Sequence, residues 1–259
     1  MKTSKIIVIA SGKGGVGKTT TAINLGAAIN YFGGDVVVVD ANLTTPNVGI
    51  HLGSPEVPIS LNHVLSKKAD CCEAVYEHHS GLKIMPSSLS VKELSKLKSS
   101  KLKSLKKDFA KLADYIILDS AAGLGEEALS AVDLSNELII ITNPEMPAIT
   151  DALKLIKLAE QKKKPITGVI VSRVRKNESE MTPEAVKDML GAPILGMIPE
   201  DILLQVALKE KDAIVHTHPK STPARAYKEI AANLIGTEYD SDKDKERLMK
   251  RILKKFGLK

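Results

Sequence analysis

The sequence predicts a three-layer α/β/α fold with a mostly parallel central sheet. Short runs rich in Val, Ile and Leu alternate with helical patterns along the chain, as in repeated βα units. These runs are apolar without interruption, which is typical of parallel strands covered on both faces. A glycine-rich loop between the first strand and the first helix is a third indication of the same class.

The elements follow from these patterns in chain order. A buried strand is predicted at Ile6–Ala10, and a helix is expected from about Lys18. Further strands are predicted at Asp35–Asp40, Leu82–Met85, Tyr115–Asp119, Glu137–Thr142, Ile166–Val171 and Ile194–Ile198, with helices between them. Leucines at near-helical spacing predict an amphipathic helix with solvated lysines from Lys92 to Lys111, although a DNA-facing basic patch is an alternative.

Length and composition favour one α/β domain over residues 1–238, followed by a separate segment over residues 239–259. No apolar run approaches the roughly 18 residues that span a bilayer, and no signal peptide precedes the first strand, so a cytoplasmic protein is expected. The adjacent Cys71 and Cys72 suit neither a disulfide nor a metal site, and we expect both to be buried in a helix. The histidines show no metal-binding or catalytic pattern and are expected on the surface or in loops: His51, His63, His78, His79, His216 and His218.

The loop after the first strand has the spacing G-x-x-x-x-G-K-T, from Gly12 to Thr19. Its glycines allow successive backbone N–H groups to turn inward around phosphate oxygens. Lys18 is expected to meet the β- and γ-phosphates, and Thr19 offers its hydroxyl to Mg²⁺. The start of the following helix adds unpaired N–H groups and partial positive charge. A glycine-rich turn with no ligand is the alternative.

Lys13 makes this loop more specific. The segment KGGVGKTT resembles the deviant phosphate-binding loop of the MinD/ParA family of ATPases. The resemblance implies that ATP joins two subunits face to face and that Lys13 reaches the nucleotide of the other subunit. The loop residues that it assigns to the nucleotide are Gly12, Lys13, Gly14, Gly15, Val16, Gly17, Lys18, Thr19 and Thr20.

Two further motifs resemble the nucleotide-sensing loops of that family. The run from Val36 to Asn47 looks like switch I, in which two aspartates form D-x-D; here they correspond to Asp40 and Asn42. In that family the second position orients the attacking water, so the resemblance implies that an amide there slows hydrolysis, or gives a scaffold that hardly hydrolyses ATP. The strand that ends at Asp119 resembles Walker B, with Asp119 holding Mg²⁺ through water, and Gly123 resembles the glycine of switch II. The resemblance thus gives the catalytic candidates Lys13, Lys18, Asp40 and Asn42 and the metal candidates Thr19 and Asp119.

Weaker matches occur later in the chain. The segment from Thr142 to Asp151 resembles the T-N-P-E segment of MinD-like ATPases, which implies that Glu145 lies near the nucleotide or the dimer interface. Asp151 is either a second interface residue or a residue of the first turn of a helix. The segment Ile198-Pro-Glu-Asp201 resembles the loop that cradles adenine, with Pro199 and Asp201 as contacts. Ser172-Arg173 stands where Asn-Arg is usual, so one base contact is expected to be missing.

The last residues are strongly basic. Residues 243–259 hold eight Lys or Arg and two Asp or Glu, a net charge of 8 − 2 = +6 that equals the formal charge of the whole chain. As a helix they would place basic residues opposite an apolar face of Leu248, Met249, Ile252, Leu253 and Phe256. Such a helix binds anionic membrane surfaces, and two copies in a dimer bind better than one. A helix docked on the body or a solvated tail is the alternative.

Together these features predict a MinD-type ATPase. The expected protein is a homodimer with ATP and Mg²⁺, held at the cytoplasmic face of a membrane, that recruits an unknown regulatory or cargo protein for spatial organisation such as division-site or polar placement. A ParA-like DNA or cargo partitioning ATPase is an alternative, but the neutral charge of the body argues against a nucleic-acid partner. An iron–sulfur carrier of the same superfamily is a further alternative, but its C-x-x-C motif is absent.

Overall fold

A computed structural model describes residues 4–90, 99–175, 177 and 180–240. Within this part of the chain the centre is one sheet in the order β3-β4-β2-β5-β1-β6-β7-β8, in which β3 is antiparallel to β4 and the other pairs are parallel. The strands are β1 Lys5–Ala10, β2 Val36–Asp40, β3 Tyr76–Glu77, β4 Lys83–Met85, β5 Tyr115–Asp119, β6 Glu137–Thr142, β7 Ile166–Val174 and β8 Ile194–Pro199. The predicted fold class is confirmed.

Helices cover both faces of this sheet. They are α1 Lys18–Tyr31, α2 Val48–His51, α3 Leu61–Leu65, α4 Lys106–Phe109, α5 Glu126–Leu134, α6 Met146–Gln161, α7 Pro183–Leu190, α8 Ile202–Lys209, α9 Ile214–Thr217 and α10 Thr222–Ile235. Short 3₁₀ helices occupy Cys71–Ala74 and Ser99–Leu105.

Alternate residues of each central strand enter opposite cores. In β1, Ile6 and Val8 belong to the apolar cluster with α3 to α7, whereas Ile7 and Ile9 belong to the cluster with α1, α9 and α10. Both clusters are almost fully buried. The uninterrupted apolar runs of the sequence therefore reflect a sheet buried on both sides.

Most element predictions agree with the structure, apart from one-residue shifts at strand ends and three larger differences. The two-residue strand β3 was not predicted, and β7 continues past Val171 to Val174. The helix predicted from Lys92 to Lys111 is wrong in its described part, where a 3₁₀ helix and the single turn of α4 replace it. The Ser104 hydroxyl donates to the Lys101 carbonyl three residues earlier (2.7 Å), a local bond that competes with α-helix.

The cysteine prediction is correct for one residue only. Cys71 is buried, but Cys72 is exposed on the other side of the short 3₁₀ helix. Burial, followed by the negative charge of Asp108, raises the pKa of the Cys71 thiol to about 11.

The last described residues pack at the C-terminal end of α1. The ring of Tyr239 lies edge-on to that of Phe32, with centroids 5.8 Å apart. Lys228 is buried beside them, with its Nζ 4.3 Å from the centre of the Tyr31 ring and donating to the Pro219 carbonyl (3.1 Å). The predicted apolar tail residues from Leu248 to Phe256 lie outside the described residues. Among the helices that are described, none combines the length and apolar character needed to cross a bilayer.

Candidate functional site

The carboxyl ends of the central strands bring the predicted motifs together. Strand β1 lies between β5 and β6, so the loop of residues 11–17 leaves the middle of this edge. Asp40 and Asp119 are direct register partners at the ends of β2 and β5. The phosphate-binding, switch I and Walker B motifs therefore meet at one place, as parallel topology requires.

The conformation of the loop depends on its glycines. Gly15 and Gly17 have φ of 75° and 93°, values that other residues rarely adopt, and Gly17 lies at the N-cap of α1. A Cβ on Gly12 would lie 2.4 Å from the carbonyl oxygen of Asp151 in α6, so only glycine allows this close packing. Lys13, Gly14 and Gly15 are exposed, whereas Val16 is buried beneath them. The result is an open backbone cradle above the start of α1.

Lys18 is buried beneath this cradle. Its Nζ donates to the Ser11 hydroxyl (2.9 Å), and the Ser11 hydroxyl donates to the Lys13 carbonyl (2.7 Å). Burial lowers the pKa of Lys18, although the negative charge of Asp119 opposes this shift. Ser11 was not among the predicted site residues, and its place directly before Gly12, the first glycine of the loop, is the signal that could have found it.

Thr19 and Asp119 form the next layer. The Thr19 hydroxyl donates to Asp119 Oδ2 (2.6 Å), while Asp119 Oδ1 is buried without a hydrogen-bond partner among the described residues. Burial raises the pKa of Asp119 to about 6, although the Thr19 hydrogen bond and the charge of Lys18 lower it. A buried carboxylate oxygen with no partner, beside a hydroxyl, is an oxygen donor set that suits Mg²⁺. Thr19 and Asp119 therefore fit the metal predicted from the sequence.

Asp40 supports the switch I loop, residues 41–47. Its Oδ1 accepts the Asn42 N–H (3.2 Å), and its Oδ2 accepts the N–H groups of Asn47 and Val48 (2.9 Å each). Burial, and then the charge of Asp119, raises the pKa of Asp40, against which these three N–H groups act. All three of these hydrogen bonds come from backbone N–H groups, so the Asp40 carboxylate holds the conformation of the loop.

Asn42 is engaged within the same loop. Its Nδ2 donates to the Thr45 carbonyl (2.7 Å), and its Oδ1 accepts from the N–H (3.2 Å) and hydroxyl (3.1 Å) of Thr45. Only 8% of Asn42 is exposed. Both ends of the amide therefore hold a turn, and an aspartate would keep the two accepted bonds and lose the donated one.

The switch II loop, residues 120–125, is tied to the phosphate-binding loop. The Gly123 N–H donates to the Ser11 carbonyl (2.9 Å), and Gly123 has a φ of 84°. The same loop exposes Leu124, which is 41% accessible. At the start of α6, Met146 is 53% accessible, next to the exposed Glu145 at the N-cap. This edge of the molecule thus presents apolar side chains beside the loop that carries Lys13.

A cavity of about 300 Å³ lies behind the phosphate-binding loop. The predicted residues Thr20, Pro199 and Asp201 line it, together with Ser172 and Arg173. Asp201 caps α8 by accepting the Leu203 N–H (2.9 Å). The Ser172 hydroxyl is turned toward the carbonyl of Val16 (2.5 Å), so it braces the loop from behind.

Asp151 does not occupy the first turn of a helix. Helix α6 begins at Met146, which places Asp151 in its second turn, where the carboxylate pairs with Lys154 (3.0 Å). That alternative from the sequence is wrong. The contact of Asp151 with the site is made by its backbone, against Gly12.

The prediction that the histidines lie on the surface or in loops is wrong in part: His216 lies in α9 with only 11% of its side chain exposed, and His78 lies in a turn but is buried. His78 is 8% exposed, and its Nε2 lies 3.0 Å from the Lys211 carbonyl. Asp212 lies within 4 Å of His78, His79 and His216. His78 and His79 are more than 130 residues from Lys211 and Asp212 in sequence, so no local pattern could have indicated these contacts.

Comparisons with known proteins agree with this geometry. Residues 2–235 match the ParA family model, which is described as an iron-transfer P-loop NTPase. An uncharacterized ATP-binding protein of Methanocaldococcus jannaschii is 37% identical over 250 residues, 96% of this chain and 95% of its own. The septum site-determining protein MinD of Synechocystis is 31% identical over 242 residues, 91% of each chain.

A solved structure gives the same result. The structure of MinD from Pyrococcus horikoshii, complexed with Mg-ADP, superposes with a TM-score of 0.85 at 34% identity, over 89% of this chain and 96% of that chain. The resemblance noted in the sequence is therefore confirmed, and this chain belongs to the MinD/ParA family of P-loop ATPases.

Proposed function

We propose that this protein is a MinD-type switch: two copies bind face to face around Mg-ATP, attach to an anionic membrane through residues 239–259, and hydrolyse the nucleotide slowly. The observation that carries the proposal is the convergence of Lys18, Thr19 and Asp119 under a glycine cradle, with Lys13 exposed above it. The buried Lys18 and Asp119, with the Thr19 hydroxyl, would bind Mg-ATP in the same subunit. The exposed Lys13 would reach the nucleotide of the second subunit.

The residues at the site would act by position and charge. Backbone N–H groups of the loop and the start of α1 would bind the phosphates, and Lys18 would exchange the Ser11 hydroxyl for phosphate oxygens. Thr19 and Asp119 would hold Mg²⁺, which neutralises charge on the phosphates. Pro199 and Asp201, in the adjacent cavity, would contact the base.

The slow rate is argued from Asn42. In a water-activating position a carboxylate can accept a proton, whereas an amide cannot. Here both ends of the amide are also occupied by Thr45. We therefore expect ATP to persist in the dimer until a regulatory partner rearranges the loop, which is the behaviour of a slow switch.

The dimer face is argued from exposed side chains. Lys13, Leu124, Glu145 and Met146 are all exposed at the edge that carries the phosphate-binding loop. Apolar residues at the centre of a face with charged neighbours are typical of protein interfaces. Two such faces would meet across the nucleotides and would place Lys13 of each subunit at the phosphates of the other.

The experiment is co-sedimentation with vesicles containing anionic lipid, in ATP and in ADP. It compares intact protein with a truncation after Asp240, which keeps the Tyr239 contact with Phe32. Binding that requires both ATP and the tail is expected. Lys13→Ala should bind nucleotide but lose ATP-dependent dimers and membrane binding, while Lys18→Ala should lose nucleotide binding as well. Equal sedimentation of intact and truncated protein would overturn the membrane role.

A further inference from the structure

A cluster of imidazole and carboxylate groups lies outside the nucleotide site. It forms where the turn between β3 and β4, residues 78–81, meets the link between α8 and α9, residues 210–213. The three ligand atoms of His78, His79 and Asp212 all lie within 4.8 Å of one another. The segments that carry them are distant in sequence, so the fold itself assembles the cluster.

His78 is prepared to act as a ligand. Its Nε2 lies 3.0 Å from the Lys211 carbonyl, which can only accept, so Nε2 carries the proton and Nδ1 keeps its lone pair. Nδ1 faces Asp212 Oδ1 at 3.8 Å. Metal-binding histidines are oriented in this way, by a carbonyl on the ring nitrogen that does not bind the metal. The Ser80 hydroxyl (2.8 Å) and, more weakly, the Ser80 N–H (3.4 Å) donate to this lone pair, and a bound ion would replace both.

Asp212 supplies an oriented carboxylate. Its Oδ1 accepts the Ala213 N–H (2.7 Å) and lies 2.9 Å from His216 Nδ1, while its Oδ2 faces His79 Nε2 at 3.6 Å. Its side chain is 8% exposed. Burial alone would raise the pKa of Asp212, but the hydrogen bond and charge of His216 hold it below its ordinary value. The group is thus a fixed carboxylate with His216 behind it.

His79 completes the set from the solvent side. Its side chain is 71% exposed, and its ring stands beside that of His78 with centroids 4.0 Å apart. Bonds of about 2.0–2.1 Å at tetrahedral angles place ligand atoms roughly 3.3 Å apart. The observed nitrogen–oxygen separations of 3.8 and 3.6 Å need only a small inward movement, which the exposed His79 can make.

We infer that His78, His79 and Asp212 form a binding site for a borderline divalent cation of the Zn²⁺, Co²⁺ or Ni²⁺ class, with water as a further ligand. Two imidazoles and a carboxylate select such ions over Mg²⁺, which prefers oxygen donors alone. The bound ion would join the turn at residues 78–81 to the link between α8 and α9 at residues 210–213. Asp212 also lines the cavity behind the phosphate-binding loop, so the ion would brace one wall of that cavity.

The test uses untagged, chelator-treated full-length protein without nucleotide, so that the Mg²⁺ site and the membrane play no part. Zn²⁺ titrated in a calorimeter should bind with one equivalent per chain. His79→Ala should weaken this binding at least tenfold, because that exposed side chain contributes a ligand and little to folding. His63→Ala, in α3 and outside the cluster, is the matched control and should bind as the wild type does.

Co²⁺ provides an independent readout of the ligands. Its visible absorption should show nitrogen and oxygen ligation, whereas a sulfur charge-transfer band would assign the ion to Cys72 and overturn the proposal. Asp212→Asn keeps the shape of the side chain and should also weaken binding at least tenfold; if that variant fails to fold, His79→Ala still decides. Absence of stoichiometric binding by wild type, or equal affinity in His79→Ala, would overturn the site without affecting the proposed ATP switch.

Discussion

Thr44 donates two hydrogen bonds to the carboxylate of Glu127. Its N–H lies 3.0 Å from Oε1 and its hydroxyl 2.6 Å from Oε2. Thr44 belongs to the switch I loop and Glu127 to the first turn of α5, directly after the switch II loop. The Glu127 side chain thus joins switch I to the element that follows switch II, the two loops that surround the proposed γ-phosphate position. Movement of one loop is therefore expected to displace the other.

Glu127→Ala should release switch I. The pair is near the surface, so we expect a loss of only about 1 kcal/mol in the local free energy of opening. Hydrogen exchange of residues 43–46 should become several-fold faster, measured by mass spectrometry on nucleotide-free protein. Glu126→Ala, one residue earlier in the same turn, is the control. Equal exchange in the two variants would contradict the coupling.

Asn42→Asp should speed ATP turnover at least tenfold, because a carboxylate can accept a proton from the attacking water. Phosphate release under saturating Mg-ATP is the measurement. The same change removes the donated bond to the Thr45 carbonyl and should cost the nucleotide-free protein about 1 kcal/mol. If wild type and variant hydrolyse ATP at the same fast rate, Asn42 does not make this protein a slow switch.

Gly12→Ala should destabilise the protein even without nucleotide. The added Cβ would lie 2.4 Å from the Asp151 carbonyl oxygen, and relieving that overlap by moving α6 is expected to cost about 2–3 kcal/mol. Such a loss corresponds to a fall in Tm of roughly 5–10 °C.

Gly14→Ala is the matched control, since its Cβ would meet nothing closer than 4.0 Å. It should leave Tm within about 2 °C of wild type, because substitutions without new contacts usually change stability little. A similar fall in both variants would show that loop flexibility, and not the contact with α6, decides stability here.

The two thiols should differ in reactivity. Exposed Cys72 should react with a thiol reagent at pH 8 in native protein, and Cys71 only after unfolding. Because the native pKa of Cys71 is raised to about 11, the native state keeps a proton that the unfolded chain loses, so stability should fall as pH rises from about 9 to 11. Cys71→Ala should show a smaller decline in Tm over that window. Rapid labelling of both native thiols would contradict the structure.

The sheet and the phosphate-binding loop could be predicted because their signals are local. An apolar run such as Ile6–Ala10 indicates a strand buried on both faces, and glycine spacing from Gly12 to Thr19 indicates a loop whatever surrounds it. Parallel topology then brings Asp40 and Asp119 together without any knowledge of side-chain contacts.

What could not be predicted depends on contacts between distant segments. His78 finds its partner at Lys211, and Thr44 finds Glu127, through folding alone. The 3₁₀ helix Ser99–Leu105 was missed for another reason. Its leucine spacing suits an α-helix, but serines that bond to nearby carbonyls favour tighter turns, as Ser104 does with Lys101.

The contact between Phe32 and Tyr239 sets the distance between nucleotide and tail. Helix α1 starts under the phosphate-binding loop and, at 14 residues, is about 21 Å long, with Phe32 just beyond its far end. The segment after Tyr239 therefore begins at the far end of α1 from the site, about 21 Å from the start of that helix. In the proposed function, bound ATP would therefore be too far from the point where the tail begins to contact it directly. ATP would instead control membrane attachment through the number of tails, because a monomer carries one tail and an ATP-bound dimer carries two.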